Sequence, residues 1–274
     1  MEGTALLGGL VGRHFGDGLL MQPARLDWRA ARVVRTRWET PRVRTLVLDV
    51  PDWPGHSAGQ HLDLRLTAPD GYQAQRSYSI ASAPGASGVE VTVERLSDGE
   101  VSPYLTDVLR EGDLLDVRGP IGGYFVWTPA SSRPLALVGG GSGVVPLMCM
   151  LRHRTLRAAD LAASVPPARL LYSARSAEDL IYRAELDRLS EMDRDLRVGY
   201  ALTRAKPTGW SGYHRRIDRG MLEDVFWRAD AAPVFYVCGP TTMVEAAATL
   251  LVDLGYPPGD VRTERFGPTG GNGP

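Results

Sequence analysis

The sequence predicts two domains, a six-stranded antiparallel β-barrel followed by an α/β domain built on a parallel sheet. Three observations predict this. Up to about residue 128 the chain reads as short strands cut by Gly/Pro turns, with room for one short helix. From residue 129 strands alternate with helices, a grammar that requires a parallel sheet with right-handed crossovers. The first of these later strands runs into Gly139-Gly140-Gly141-Ser142-Gly143 and then a helix.

Composition narrows the class. At 274 residues the chain accommodates one large or two ordinary domains. Its hydrophobic content of 43% and net charge of −1 suit a soluble globular protein with no bulk attraction to nucleic acid or anionic membrane. Lysine occurs once, at Lys206, so almost every cation is an arginine. No apolar run is long enough to span a membrane. Residues 5–11 are apolar but lack a basic leader and a cleavage site, so a cytoplasmic location is expected. Cys149 and Cys238 cannot supply the four thiolates of an iron–sulfur cluster, and no metal site is expected.

Taken in order, residues 1–24 are Gly- and Leu-rich without a period and are expected to form an N-terminal extension. The barrel domain is placed at 25–128. Strand-like stretches fall at 28–37, 42–50, 61–66, 76–79, 89–95, 114–117 and 124–127, one more than a six-stranded barrel uses, with a short helix at 102–109. Asp70-Gly71 is a hairpin signal feeding the strand that carries Arg76. The second domain and its Gly-rich tail are placed at 129–274. Strands are expected at 135–138, 169–172, 196–202, 234–238 and 261–265, with helices at 145–157, 177–189, 219–227 and 241–254.

Four segments carry chemistry. In Arg76-Ser77-Tyr78-Ser79, alternate residues share a strand face, so Arg76 and Tyr78 point one way and Ser77 and Ser79 the other. An arginine beside a tyrosine suits a ligand with a phosphate near a flat ring, although Tyr in a strand also serves as plain core. The glycine run lets backbone amides approach a pyrophosphate at a helix start, but Pro146 stands where a dinucleotide fingerprint has its third glycine. A bare strand-to-helix turn reads the same way. The next two strands end in Ser173-Ala174-Arg175 and Thr203-Arg204, where an NAD site ordinarily carries an acid. Arginines there suit a 2′-phosphate, or are solvated surface arginines. The fourth strand ends Cys238-Gly239-Pro240, followed by Met243 in a helix. Cys238 lies where ligands bind in open parallel sheets, and a buried inert thiol is the alternative.

Together these segments resemble the ferredoxin–NADP reductase family of flavoproteins, in the bacterial form without a fused 2Fe-2S domain. The resemblance covers residues 27–267, with the motifs in the family's order. It implies an FAD-binding barrel and an NAD(P)-binding second domain. Arg76 would bind an FAD phosphate, Tyr78 would pack on the ring system, and Ser79 would bond near flavin N5. Thr92-Val93-Glu94 would hold the ring through its backbone. Glu100-Val101-Ser102, with the amides opening the short helix, would take the pyrophosphate. Gly141, Ser142, Gly143, Pro146, Cys238, Gly239, Pro240 and Met243 would form the nicotinamide-nucleotide site, with Ser173, Arg175 and Arg204 favouring NADPH over NADH. Glu264-Arg265-Phe266 resembles a Glu-x-Phe found near the end of bacterial members, which places Glu264 and Phe266 near the flavin.

The implied enzyme is an NAD(P)H-dependent flavoprotein reductase, expected as a monomer. It would take hydride from NADPH or NADH onto FAD and pass electrons singly to a separate acceptor such as a ferredoxin, flavodoxin, oxygenase or other metalloenzyme. Ser79, Cys238 and Glu264 are the expected catalytic residues. Two alternatives stand beside it: a reductase of diffusible FAD or FMN, and a non-catalytic dinucleotide-binding subunit. Arginines 32, 35, 37, 42 and 44 read either as a basic docking face or as the solvated side of their strands.

Overall fold

The computed structural model describes residues 26–159 and 165–266. The expected extension at 1–24 and the tail beyond 266 lie outside the described residues.

Six antiparallel strands form the first domain: β1 (Arg29–Thr40), β2 (Val43–Asp49), β3 (His61–Thr67), β4 (Gln73–Ser79), β5 (Val89–Glu94) and β6 (Leu114–Ile121). Their order is β4-β3-β6-β1-β2-β5. An antiparallel bridge between Ile80 and Val91 brings the continuation of β4 onto β5 and closes the barrel. Alternate residues point inward, so Ala31, Val33, Leu62, Leu64, Val91, Val93 and Val117 are buried in one core. Helix α1 (Val101–Pro103) continues as a π-helical turn over Tyr104–Val108 and inserts Val101, Leu105 and the following Leu109 into that core.

Strand β2 departs from simple alternation, because all but its last residue are buried. The second domain covers its outer face, so Val43 joins the core shared between domains and the Thr45 hydroxyl bonds that of Thr92 at 2.8 Å. Arg44 is likewise no part of an exposed basic face. It is buried, and its guanidinium donates to the carbonyls of Thr106 at 2.7 Å and Leu109 at 3.0 Å, tying down the end of the π turn.

The second domain is a five-stranded parallel sheet of β7 (Leu135–Gly140), β8 (Ala168–Ala174), β9 (Leu196–Leu202), β10 (Val234–Pro240) and β11 (Val261–Phe266), in the order β11-β10-β7-β8-β9. Helices α2 (Val144–Ala158) and α3 (Arg183–Met192) cover one face. Helices α4 (Arg219–Val225) and α5 (Thr241–Asp253) cover the other. With both faces covered, every residue of the central strand β7 is buried. Successive crossovers leave β7 in opposite directions, so the crevice between β7 and β10 is the switch point where open α/β sheets take ligands.

Two expected elements are corrected. Residues 124–127 form no strand; Trp127 makes one isolated bridge to Ala58. Their apolar alternation serves the seam, where Phe125 and Trp127 join Ala58, Ala81, Met148 and Leu151 in a core common to both domains. The expected helix at 177–189 is broken. Ala177–Asp179 is a 3-10 turn, Tyr182 is left-handed at φ 59°, and only then does α3 begin. The break lets Leu180, Ile181 and Tyr182 insert their side chains into the same seam, which an unbroken amphipathic helix does not allow.

Candidate active site at the domain seam

On the barrel side the site begins at the last residue of β4. Ser79 is 5% exposed, and its hydroxyl has no hydrogen-bond partner among the described residues. Ser77, two residues earlier, is engaged: its hydroxyl donates to Asp63 at 2.6 Å, and Asp63 in turn accepts from Arg118 at 2.6 Å. Tyr78 packs partly against the barrel core, and burial pushes its phenol well above the usual range. Arg76 is exposed, and among the described residues its guanidinium donates only to the adjacent Gln75 carbonyl, at 2.6 Å. Tyr72 and Glu100 share a hydrogen bond beside it that raises the Tyr72 phenol, with Arg76 opposing the rise. A cation and an aromatic ring therefore flank the start of α1, and Tyr72 is a candidate that the Asp70-Gly71 hairpin signal did not single out.

Other predicted barrel residues are partly committed to structure. Ser102 is buried, and its hydroxyl accepts the Leu96 N–H at 3.1 Å. Val101 and Val93 turn their side chains into the core, so each offers only backbone to a ligand. The hydroxyl of Thr92 is bonded to those of Thr45 and Tyr182. Glu94 is half-buried at the end of β5, where β2 pairs one edge through Val43.

On the sheet side the predicted residues converge. The Gly141–Gly143 turn lies against β5 of the barrel as well as β7, β8 and β10, so the glycine loop of the sheet domain meets a barrel strand. Gly141 has φ +55° with open space where a side chain would stand, which leaves its backbone approachable. Gly143 has no such room: a Cβ there would come within 2.6 Å of the Gly239 nitrogen. This close fit holds the turn against the end of β10. Pro146 occupies the first turn of α2, where a missing N–H costs no helical bond. Met243 packs over Gly140, and Ser142 is half-buried in the turn.

Parallel register sets Cys238 beside Glu264, and Pro240 beside Phe266. Cys238 is fully buried, and burial followed by the neighbouring Glu264 raises its thiol well above the ordinary value. Glu264 makes no side-chain hydrogen bond among the described residues, and its Oε2 is a buried atom without a partner. Burial alone pushes its carboxyl from 4.5 up to about 7. Phe266 is half-buried and packs against the shared core. Near the end of β8 Ser173 lies level with Gly140, and the Arg204 N–H donates to the Arg175 carbonyl at 2.9 Å. Both arginines are exposed, and neither guanidinium has a hydrogen bond or ion pair among the described residues.

Fold and site thus define a two-domain oxidoreductase with a flavin side and a nicotinamide side. Residues 31–126 match the oxidoreductase FAD-binding domain family, and residues 137–249 match the oxidoreductase NAD-binding domain family. Ferredoxin–NADP reductase B of Sorangium cellulosum is 36% identical over 86% of this chain and 96% of its own length. The glycine betaine monooxygenase reductase subunit of Chromohalobacter salexigens is 32% identical over 89% of this chain and 65% of its own. A ferredoxin NADP+ reductase structure from Neisseria gonorrhoeae with bound FAD and NADP has the same fold, with a TM-score of 0.73 at 23% identity over 87% of this chain and 98% of that one. The chain belongs to the ferredoxin–NADP reductase family of FAD- and NAD(P)-binding oxidoreductases. It spans between about half and just under two thirds of the length of the flavohemoproteins and monooxygenase reductase subunits it resembles. No helix among the described residues is long and apolar enough to cross a membrane.

Proposed function

We propose that this chain takes a hydride from NADPH onto bound FAD and delivers the electrons singly to a redox centre on another protein. Bound FAD supplies the chemistry that joins two-electron and one-electron partners. One observation carries the reading: the Ser79 hydroxyl of the barrel and Glu264 Oε2 of the sheet domain are buried atoms without hydrogen-bond partners among the described residues. An unpaired buried polar atom costs about 1–3 kcal/mol, a cost that a ligand bond removes.

Each residue has a role in this reading. Arg76 holds an FAD phosphate, and the amides opening α1 take the pyrophosphate. The Ser79 hydroxyl would donate a hydrogen bond to the flavin ring. The Gly141–Gly143 amides approach the nucleotide pyrophosphate, while Ser173, Arg175 and Arg204 hold the 2′-phosphate. Cys238 and Glu264 line the nicotinamide pocket and exclude water, and Glu264 keeps its proton up to about pH 7. The free guanidiniums at the ends of β8 and β9 favour NADPH over NADH. For the acceptor, the names of relatives support an oxygenase: one is a glycine betaine monooxygenase reductase subunit, and a 25% identical structure is the Amycolatopsis cytochrome P450 reductase GcoB.

The test is direct. The purified protein should be yellow after gel filtration, and NADPH should bleach that colour under anaerobic conditions. A folded, colourless protein that reduces only added free flavin would move the assignment to a diffusible-flavin reductase. A yellow protein that NAD(P)H leaves unchanged would make it a binding subunit.

A further inference from the structure

The seam contains a second constellation, and it is fully satisfied. Arg152 projects from α2 between the domains with 15% of its side chain exposed. Towards the nucleotide domain it forms a two-pronged pair with Glu185 of α3, Nε to Oε1 at 2.9 Å and Nη2 to Oε2 at 2.7 Å. Towards the barrel, Nη1 donates to the Ala81 carbonyl at 2.9 Å and to Glu90 of β5 at 3.0 Å. The guanidinium also lies over the ring of Tyr182, 5.0 Å from its centre, and the Tyr182 hydroxyl bonds Thr92 of β5. Four N–H groups of one side chain are thus divided between two domains.

What Arg152 grips matters more than the number of bonds. Ala81 stands two residues beyond Ser79, and its N–H donates to the Glu90 carbonyl at 2.7 Å. Ser82 follows, with its hydroxyl accepting the Glu90 N–H at 3.0 Å. The segment leaving Ser79 is therefore fastened to β5, and Arg152 fastens both to the second domain. Helix α2 itself starts at the Gly141–Gly143 turn. Arg152 lies eight residues past Val144, about 12 Å along a rigid helix at about 1.5 Å per residue. One helix thus connects the nucleotide loop at its start to the flavin-side hydroxyl near its middle.

We infer that Arg152 is a positioning residue for hydride transfer. By bridging Glu185, Glu90 and the Ala81 carbonyl it fixes the Ser79 segment relative to the nucleotide loop. The inference rests on the hydride-transfer reading above. Arginine suits the task because its planar fork addresses three acceptors at once, whereas a lysine ammonium sits on a flexible stem with no fork. A misplacement of about 1 Å between reacting groups costs on the order of 100-fold in rate.

The experiment uses Arg152→Lys and Glu185→Gln in the flavin-loaded protein, with rapid mixing against NADPH. The expected result is a limiting rate of flavin bleaching lowered about 10- to 100-fold in Arg152→Lys, with FAD content and the NADPH dissociation constant within about twofold of the parent. Glu185→Gln, which keeps the barrel-side bonds, should lose less. Amide hydrogen exchange should quicken at residues 80–82 while the barrel core is unchanged. If Arg152→Lys does not retain FAD, Glu185→Gln carries the comparison. A limiting rate within twofold of the parent in both variants, or a loss explained by weaker NADPH binding, would overturn the inference. Should the parent itself fail to bleach, the hydride-transfer reading fails instead. Exchange at 80–82 then decides whether Arg152 still clamps that segment, and unchanged exchange overturns the clamp.

Discussion

Replacing Glu264 by Gln tests the site through stability and rate together. Burial raises this carboxyl from 4.5 to about 7. At about 1.4 kcal/mol per tenfold change, that displacement corresponds to about 3 kcal/mol. The unfolded chain releases the proton near pH 4.5, but the folded chain holds it to about pH 7. The favourable contribution is therefore complete below pH 4.5 and lost as the pH rises through 7. Glutamine keeps the shape of the neutral acid and has no charge to bury. Between pH 5 and pH 8 the advantage of Glu264→Gln over the parent should grow by about 2–3 kcal/mol. For a protein of this size that is about 4–12 °C in the unfolding midpoint. Circular-dichroism melts of both proteins at matched flavin saturation measure the difference, and taking a difference of differences cancels the other titrating groups. The same proton should appear in kinetics: bleaching by NADPH should slow above pH 7 in the parent and stay flat in Glu264→Gln. A melting gap that is the same at pH 5 and pH 8 would refute the assignment of a buried, proton-holding carboxyl.

Three further outcomes are expected beside the Arg152 experiment. Ser79→Ala should stabilise the flavin-free protein by about 1 kcal/mol, because it removes an unpaired buried hydroxyl, yet slow flavin reduction in the loaded enzyme about tenfold; melts and rapid mixing measure the two effects. Arg175→Ala and Arg204→Ala should each weaken NADPH by about 10- to 100-fold with NADH unaffected, as titrations with both nucleotides would show; equal losses would remove them from a 2′-phosphate site. Gly143→Ala should destabilise the fold by about 1–3 kcal/mol and abolish the response to NADPH, since the added methyl meets the backbone of β10, and melts with nucleotide titration check both.

The sheet domain was the more legible half. Its strands and helices announce themselves through separate periods, and strand β9 at Leu196–Leu202 has the expected bounds. The ends of β7, β8 and β10 carry Gly139-Gly140, Ser173 and Cys238, so the ligand edge follows from topology once the parallel order is known. What pattern could not give was the seam. Phe125 and Trp127 alternate like a strand because they pack on another domain. Tyr182 interrupts a helical period because its ring belongs under Arg152. Arg44 reads as one of a row of strand arginines and nothing in the pattern singles out Arg152; only three-dimensional partners show that both are fixed by carbonyls. Periodicity reports which face of an element is buried, not what buries it.

That seam also separates scaffold from site by a physical criterion. Thr45, Thr92, Tyr182, Arg152, Glu90 and Glu185 form polar bonds across or beside it. The Ser79 hydroxyl and Glu264 Oε2 have none among the described residues. Arg44, Arg154 and His153 also carry one unpaired buried nitrogen each, but the other donors of the two arginines are bonded to nearby carbonyls, a carboxylate or the Thr36 hydroxyl, and the His153 ring packs edge-on against Trp127. An inter-domain interface left to itself is mobile by default, and a loose seam would let water reach an unpaired hydroxyl and carboxyl. On the function proposed above, the tied groups hold the interface closed around the untied ones. The cost of the two unsatisfied atoms therefore persists until a ligand with its own polar edge enters. On this argument the clamp and the orphaned pair are one device, and loosening the first should hydrate the second. The measurable sign would be a Glu264 titration that moves from about pH 7 back towards 4.5 when Arg152 is replaced by Lys.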